Sequence, residues 1–217
     1  MTVKEIYSKS AKLTKLSGTF VFFADHKFAV KNLSHFLNTS EMSLYKKKII
    51  QNSKKKDIYS YDQSFDKKII IFSLQSNEKS YEKNGAKLYE FLIKENLYKV
   101  HIFGDTIQTT DKLKSLQEFL HGMKLKSYSF DKYISKKNNQ ILNINLVINK
   151  KADLKLSKKF YAIEKGVNFT KDLVSEPGNI LHPDEYAKRI SNLKKFGLKV
   201  KIYNTNKLKK MKCNALL

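Results

Sequence analysis

Five histidines, His26, His35, His101, His121 and His182, have the widest chemical repertoire in this chain, since an imidazole near neutral pH is acid, base or metal ligand. No two of them stand at metal-ligand spacing and no HExxH occurs, which excludes a zinc-hydrolase helix. Each reads as a surface or capping residue. Asp57, Asp62 and Asp66 suggest a cation loop, but their spacing is not that of an EF-hand and the flanking lysines oppose a cation. Cys213 lies between Lys210 and an apolar end, with no His beside it to take its proton; it reads as a buried structural thiol, not a nucleophile. The loop "FGDTIQTT" (103–110) has a single glycine, short of the Gly-rich turn that cradles a nucleotide phosphate. The residues alone therefore assign no catalytic side chain and no metal ligand.

The remaining chemistry is charge. Lysine and arginine number 43 against 20 acidic residues, a formal net charge of +23, which draws the eye to polyanions. Yet only Arg189 is an arginine, and phosphate and base readout leans on the guanidinium fork. The lysines spread over almost every segment, as a solvated surface does. The candidates for a nucleic-acid contact are the two KKK runs, Lys46, Lys47, Lys48 and Lys54, Lys55, Lys56, because Tyr45, Tyr59 and Tyr61 lie close enough in sequence to stack on bases. No apolar run approaches the ~18 residues of a membrane span. The N-terminus lacks the apolar core of a secretory signal, and one cysteine forms no internal disulfide. A cytoplasmic location without membrane partners is the expectation.

The elements that would position these residues alternate. "GTFVFFAD" (18–25) reads as a strand, and Ser40 as the cap of a short helix bearing Met42, Leu44 and Tyr45. "KKIIIFSL" (67–74) reads as a strand buried on both faces, followed by a helix over 78–97 with Tyr81, Gly85, Leu88, Phe91 and Leu92 at helical spacing. "KVHIFGD" (99–105) is another buried strand. Thr110 or Asp111 opens a helix whose apolar face is Leu113, Leu116, Phe119, Leu120 and Met123. "NQILNINLVIN" (139–149) alternates as a half-buried strand toward an edge. This order predicts an α/β domain with a mixed sheet over residues 1–150. Lysine-rich "KKADLKLSKK" (150–159) marks a boundary, and 160–174 is helical in period. Strands are expected over "LKVKIYN" (198–204) and from "CNALL", with a short helix at "NKLKKMK" between them.

Both prolines of the chain, Pro177 and Pro183, fall within "KDLVSEPGNILHPDEYAKRI" (171–190). Pro177 ends one helix, since it disfavours α geometry at Glu176, and Pro183 starts the next at its first position, where the missing N–H costs nothing. "DLVSEPGNILHPDEYA" also resembles the signature at the entrance to the catalytic domain of the leucine aminopeptidase (cytosol aminopeptidase) family. Asp172, Leu173, Pro177, Asn179, Leu181, Pro183 and Ala187 match it; Ser175 and His182 depart from it, and His182 stands where a capping Thr is usual. "FLHGMKLKSYSFDKYISKK" (119–137) is similar to a second segment of that family at Gly122, Tyr128, Phe130, Asp131 and Tyr133.

The resemblance implies a macro-domain-like mixed α/β sheet flanked by helices, then a linking helix and the first elements of an incomplete second α/β domain, with 1–150 as the N-terminal domain and 151–217 as the start of the catalytic one. It implies a cytoplasmic, homo-hexameric hydrolase in which two divalent metals, manganese or zinc, activate a water against the first peptide bond of a peptide substrate. The family's metal ligands and catalytic residues lie downstream of "MKCNALL", so none carries over to these 217 residues: catalytic none, metal none, and the chain alone is expected to be inactive. The alternatives are a basic nucleic-acid-binding module and a non-catalytic truncated remnant.

Overall fold

The computed structural model describes residues 2–8, 16–52, 57–74, 80–135, 140–149 and 154–216. The chain divides into two compact units, Met1–Asn168 and Phe169–Leu217.

In the first unit the long apolar runs become the middle of a sheet. Strands β1 (Thr2–Ser8), β2 (Gly18–Ala24), β3 (Ile58–Ser64), β4 (Lys67–Ser73), β5 (Lys99–Phe103) and β6 (Ile141–Val147) stand in the order β1-β6-β5-β2-β4-β3. All neighbours are parallel except β3, which folds back antiparallel on β4. The fold is thus mixed α/β, a mostly parallel six-stranded sheet with helices on its faces. Parallel strands covered on both faces need apolar side chains in both directions, and Phe20, Val21, Phe22 and Phe23 of β2 are all fully buried. Successive residues feed two cores on opposite faces: Val21, Phe23, Ile70 and Phe72 join one, and Phe20, Phe22, Ile69 and Ile71 the other.

The first core lies under α2 (Tyr81–Lys94) and α3 (Lys112–Lys126). Ser80 caps α2 by accepting the N–H of Lys83, and Asp111 caps α3 by accepting that of Lys114. The two helices meet almost backbone to backbone. A Cβ added to Gly85 would sit 1.8 Å from the carbonyl oxygen of Phe119, and one on Gly122 would sit 1.9 Å from that of Glu82. The second core lies under α1 (Thr39–Asn52), where Phe103 stacks on Phe22 at 4.5 Å and meets Phe36 edge-on at 4.7 Å. Each fully buried Phe contributes about 1.5–3 kcal/mol relative to exposure.

Several expectations change. The cap of α1 is Asn38, not Ser40: its Oδ1 accepts the N–H of Glu41 at 2.9 Å, while Glu41 Oε2 accepts the N–H of Asn38 at 2.8 Å, a reciprocal capping box. The helix following β4 runs Tyr81–Lys94; residues 78–79 lie outside the described residues. Strand β6 is interior, because β1, unforeseen from the sequence, pairs along its outer side from Thr2↔Ile141 to Ser8↔Val147. Strand β3 is also new, and it pairs with β4 beyond a turn at Phe65–Asp66.

Helix α4 (Leu154–Ser175) starts earlier than the period suggests. In the second unit its last turn gives way to a turn in which Pro177 O accepts the N–H groups of Ile180 and Leu181, both at 2.9 Å. Helix α5 (Pro183–Ser191) opens on Pro183, continues into a 3-10 turn over Asn192–Phe196, and stops at Gly197 with φ 84°, a left-handed conformation glycine takes without strain. Helix α6 (Thr205–Lys210) is capped by Asn204. The strand expected over 198–204 does not form: Leu198 and Ile202 are more than half exposed, and no described strand lies alongside to take its ladder bonds. The strand expected from Cys213 is instead a 3-10 turn over Asn214–Leu216.

Candidate functional site

A cavity of about 300 Å³ opens beside the outer strand β1, between α3 and the first turns of α4. Parallel pairing of β1 with β6 turns Glu5, opposite Ile144, toward the α3 side of the sheet, and alternation places Tyr7 on that side too. From α3 come His121 and Lys124, from α4 Phe160 and Glu164. Gln117 Nε2 donates to Ser157 Oγ at 2.8 Å, tying the two helices together. Lys124 Nζ pairs with Glu5 Oε1 at 3.1 Å.

His121 is only 4% exposed, and its Nδ1 has no hydrogen-bond partner. Its ring lies against Phe160, centroids 4.8 Å apart. Burial lowers its pKa, and Glu82 and Glu164 offset that only in part, so a neutral imidazole is favoured. Tyr7 is pushed up to about 12, first by burial and then by the charge of Glu5, so its hydroxyl keeps its proton. Of the histidines read as surface or capping residues, His121 and His101 are in fact buried. His101 stacks on Phe20 at 5.1 Å and lies within hydrogen-bond distance of Ser17 O and Asn145 Nδ2. His26, His35 and His182 are exposed, and His182 makes no side-chain capping bond. Cys213 is half-buried, less than the sequence led one to expect, and its Sγ donates to Met211 O at 3.7 Å.

The segment with both prolines is locked by the sole arginine. Glu176, 9% exposed, accepts from Arg189 Nη1 at 2.9 Å, and Glu185 Oε1 accepts from Arg189 Nε at 3.0 Å. One guanidinium thus ties the end of α4 to α5 across the two prolines, as the fork geometry of arginine allows. Hydrogen bonding to Arg189 lowers the pKa of Glu185.

Of the nucleic-acid candidates, Lys46 and Lys47 are exposed on α1 and Lys48 is half-buried. Three consecutive helical residues fan through about 200°, so they do not share one face. Lys54, Lys55 and Lys56 lie outside the described residues. The tyrosines named beside them are not available to bases in the way expected. Tyr45 and Tyr61 are core residues, Tyr45 donating to Phe28 O, and Tyr59 stacks on Tyr61 at 6.1 Å. Asp62 pairs with Lys68 at 2.8 Å and Asp57 with Lys87 at 3.4 Å, which occupies two carboxylates of the rejected cation loop. Among the described residues no group of three or more His, Cys, Asp or Glu side chains could hold a metal. Among the described residues no helix is long and apolar enough to cross a membrane.

No protein-family model matches the chain. A probable cytosol aminopeptidase of Phytoplasma australiense is 35% identical over 145 residues, 65% of this chain and 29% of that protein. A tomato leucine aminopeptidase variant superposes on 97% of this chain and 46% of its own, at a TM-score of 0.72 and 16% identity. The bottromycin maturation enzyme BotP, solved in complex with Mn, covers 90% of this chain and 40% of its own, at a TM-score of 0.60 and 12% identity. At such identities the structural likeness shows the fold. This chain spans under a third of the length of the curated relative and under half of the solved chains. Proteins named cytosol or leucine aminopeptidase thus cover much of it, consistent with the N-terminal domain of that family.

Proposed function

We propose, taking the N-terminal region of the leucine aminopeptidase fold as premise, that these residues are the front part of a leucyl-type metalloaminopeptidase. The complete protein would release N-terminal amino acids from peptides with two divalent metals, manganese or zinc, as a cytoplasmic homo-hexamer. The observation that supports this most is the 35% identity over 145 residues with a probable cytosol aminopeptidase more than three times the length of the matched part. In this reading residues 1–150 are the macro-like domain and 151–217 carry the linking helix and the beginning of the catalytic domain. In this reading the metal ligands and the hydrolytic groups lie in the part of the complete protein that the match, 29% of the relative's length, does not span. The work of the present residues is assembly and control of access to the active site, with Arg189 fixing the turn that leads into the catalytic part.

Hydrolysis of leucyl-p-nitroanilide with added Mn²⁺ tests this on two proteins, the 217-residue chain and the chain extended through its coding sequence. Activity only in the extended chain is expected. Metal-dependent activity in the 217-residue chain would overturn the assignment of catalysis to residues beyond it. Inactivity of both would leave a non-catalytic remnant. The net charge of +23 and the exposure of Lys46 and Lys47 support a second reading, a basic face that holds nucleic acid.

A further inference from the structure

Three side chains from neighbouring strands meet on the α1 side of the sheet. Parallel register sets His101 of β5 opposite both Phe20 of β2 and Asn145 of β6, so all three point to one face. The His101 ring, 5% exposed, stacks on Phe20 with the planes 13° apart. Both of its nitrogens are engaged: Nε2 lies 3.1 Å from Ser17 O, just ahead of β2, and Nδ1 lies 3.0 Å from Asn145 Nδ2. A carbonyl oxygen only accepts, so Nε2 carries the proton; an amide nitrogen only donates, so Nδ1 is bare. The ring is therefore neutral in this arrangement. Asn145 Oδ1 is left buried without a hydrogen-bond partner, an orphan acceptor on the same carboxamide that serves Nδ1.

A half turn of that carboxamide about its last side-chain bond exchanges Nδ2 and Oδ1. An oxygen against bare Nδ1 is repelled, but against Nδ1–H it is a hydrogen-bond acceptor. The Nε2–H bond to Ser17 O is the same in both states, and the face of the Phe20 ring attracts a cation. We propose that His101 and Asn145 form a proton-operated amide switch built into the sheet: Asn145 donates to the neutral ring, and when Nδ1 takes a proton from solvent the carboxamide turns over and Oδ1 accepts from it. The entry to β2, β5 and β6 thus stay tied in both states. The switch goes beyond the aminopeptidase reading and does not depend on it. Among the described residues the charged group facing the ring is Lys99, earlier on the same side of β5, whose Nζ lies 3.3 Å from Ser17 Oγ; Phe20, Ser17 and Asn145 bring no charge. Burial lowers the pKa of His101 most, the bond to Ser17 O raises it and Lys99 lowers it, so the switch turns below the ordinary imidazole value of 6.5.

The test is nitrogen-15 NMR of the 217-residue chain from pH 8 to pH 5, with His101 assigned by a His101→Gln variant and the Asn145 side-chain amide by Asn145→Asp. We expect Nε2 to stay protonated throughout, Nδ1 to gain its proton below pH 6.5, and the Asn145 side-chain resonances to move with the same midpoint. In Asn145→Asp the partner can only accept and is charged, so the His101 midpoint should rise by about one pH unit or more. A neutral ring with its proton on Nδ1, an Asn145 amide that stays put while His101 titrates, a ring that stays neutral until the domain unfolds, or an unmoved midpoint in Asn145→Asp would each overturn the proposal. Should Asn145→Asp fail to fold, the readings on the parent chain decide.

Discussion

Gly122 belongs to a segment that resembles the aminopeptidase family, and the structure gives it a physical task that can be measured. A Cβ there would lie 1.9, 2.6 and 2.8 Å from the O, C and Cα atoms of Glu82, where real Cβ contacts essentially never fall below 3.0 Å. The obstacle is the backbone of α2, which has no rotamer to turn away. Helices α2 and α3 must therefore part by about 1 Å or more. Gaps of that size forfeit a quarter to a half of each dispersion contact, and the contacts at stake include the fully buried Leu88, Leu92 and Phe119. Overpacking of this sort costs about 1–3 kcal/mol, against a gain of about 1 kcal/mol from replacing glycine by alanine in a helix. Gly122→Ala should thus destabilise the chain by up to about 2 kcal/mol net. Gly166 in α4 supplies the control, because nothing lies within 4 Å of its Cβ position. There only the propensity gain operates, so Gly166→Ala should be neutral or stabilising by up to about 1 kcal/mol. Urea denaturation followed by far-ultraviolet circular dichroism reads both. Opposite signs are expected, and a combined Gly85→Ala, Gly122→Ala variant should lose less than the sum of its parts because both open the same interface. If Gly122→Ala unfolds at the parent's midpoint, or moves with Gly166→Ala, the close-approach argument fails.

Three further outcomes follow from the charges. Burial holds His101 and His121 below the ordinary imidazole value of 6.5. The unfolded chain therefore binds protons that the folded chain refuses, and stability should fall as pH drops from 7.5 to 5.5 and flatten in a His101→Gln, His121→Gln variant; a flat profile in the parent would contradict this. Arg189→Lys keeps the charge and removes the fork to Glu176 and Glu185, so amide exchange over 176–190 should quicken several-fold while α2 and α3 keep their protection, and unchanged exchange would show the clamp to be idle. Replacing Lys46, Lys47 and Lys48 by Gln should lower the salt dependence of DNA binding by about one to two counterions if α1 is a contact face, because the three do not share one side of the helix; the same loss from three scattered lysines would mean diffuse attraction only.

The parts of this fold that could be read in advance are those where one physical rule acts alone. Continuous burial marks β2, β4 and β5, proline geometry marks the start of α5 at Pro183, and a short polar side chain narrows the cap of α3 to Thr110 or Asp111, of which the fold uses Asp111. Strand β3 escaped because Tyr59 and Tyr61 suit a base-stacking surface as well as a sheet, and only pairing with β4 decides between them. The outer strand β1 escaped for a reason tied to the cavity itself. A strand is recognised by apolar residues on its covered face, yet the α3 side of β1 carries Glu5 and Tyr7, itself 43% exposed, after Val3, while the apolar Ile6 points the other way at 66% exposure. The carboxylate and phenol that line the cavity are the residues that break the period-2 signal. His121 is hidden by the same logic, since a polar ring on a helix face otherwise made of Leu116, Phe119, Leu120 and Met123 reads as the edge of that face. Local disagreement with the pattern of the fold is where a site is to be sought, and in this chain the two strongest disagreements, Glu5 and His121, line the same cavity.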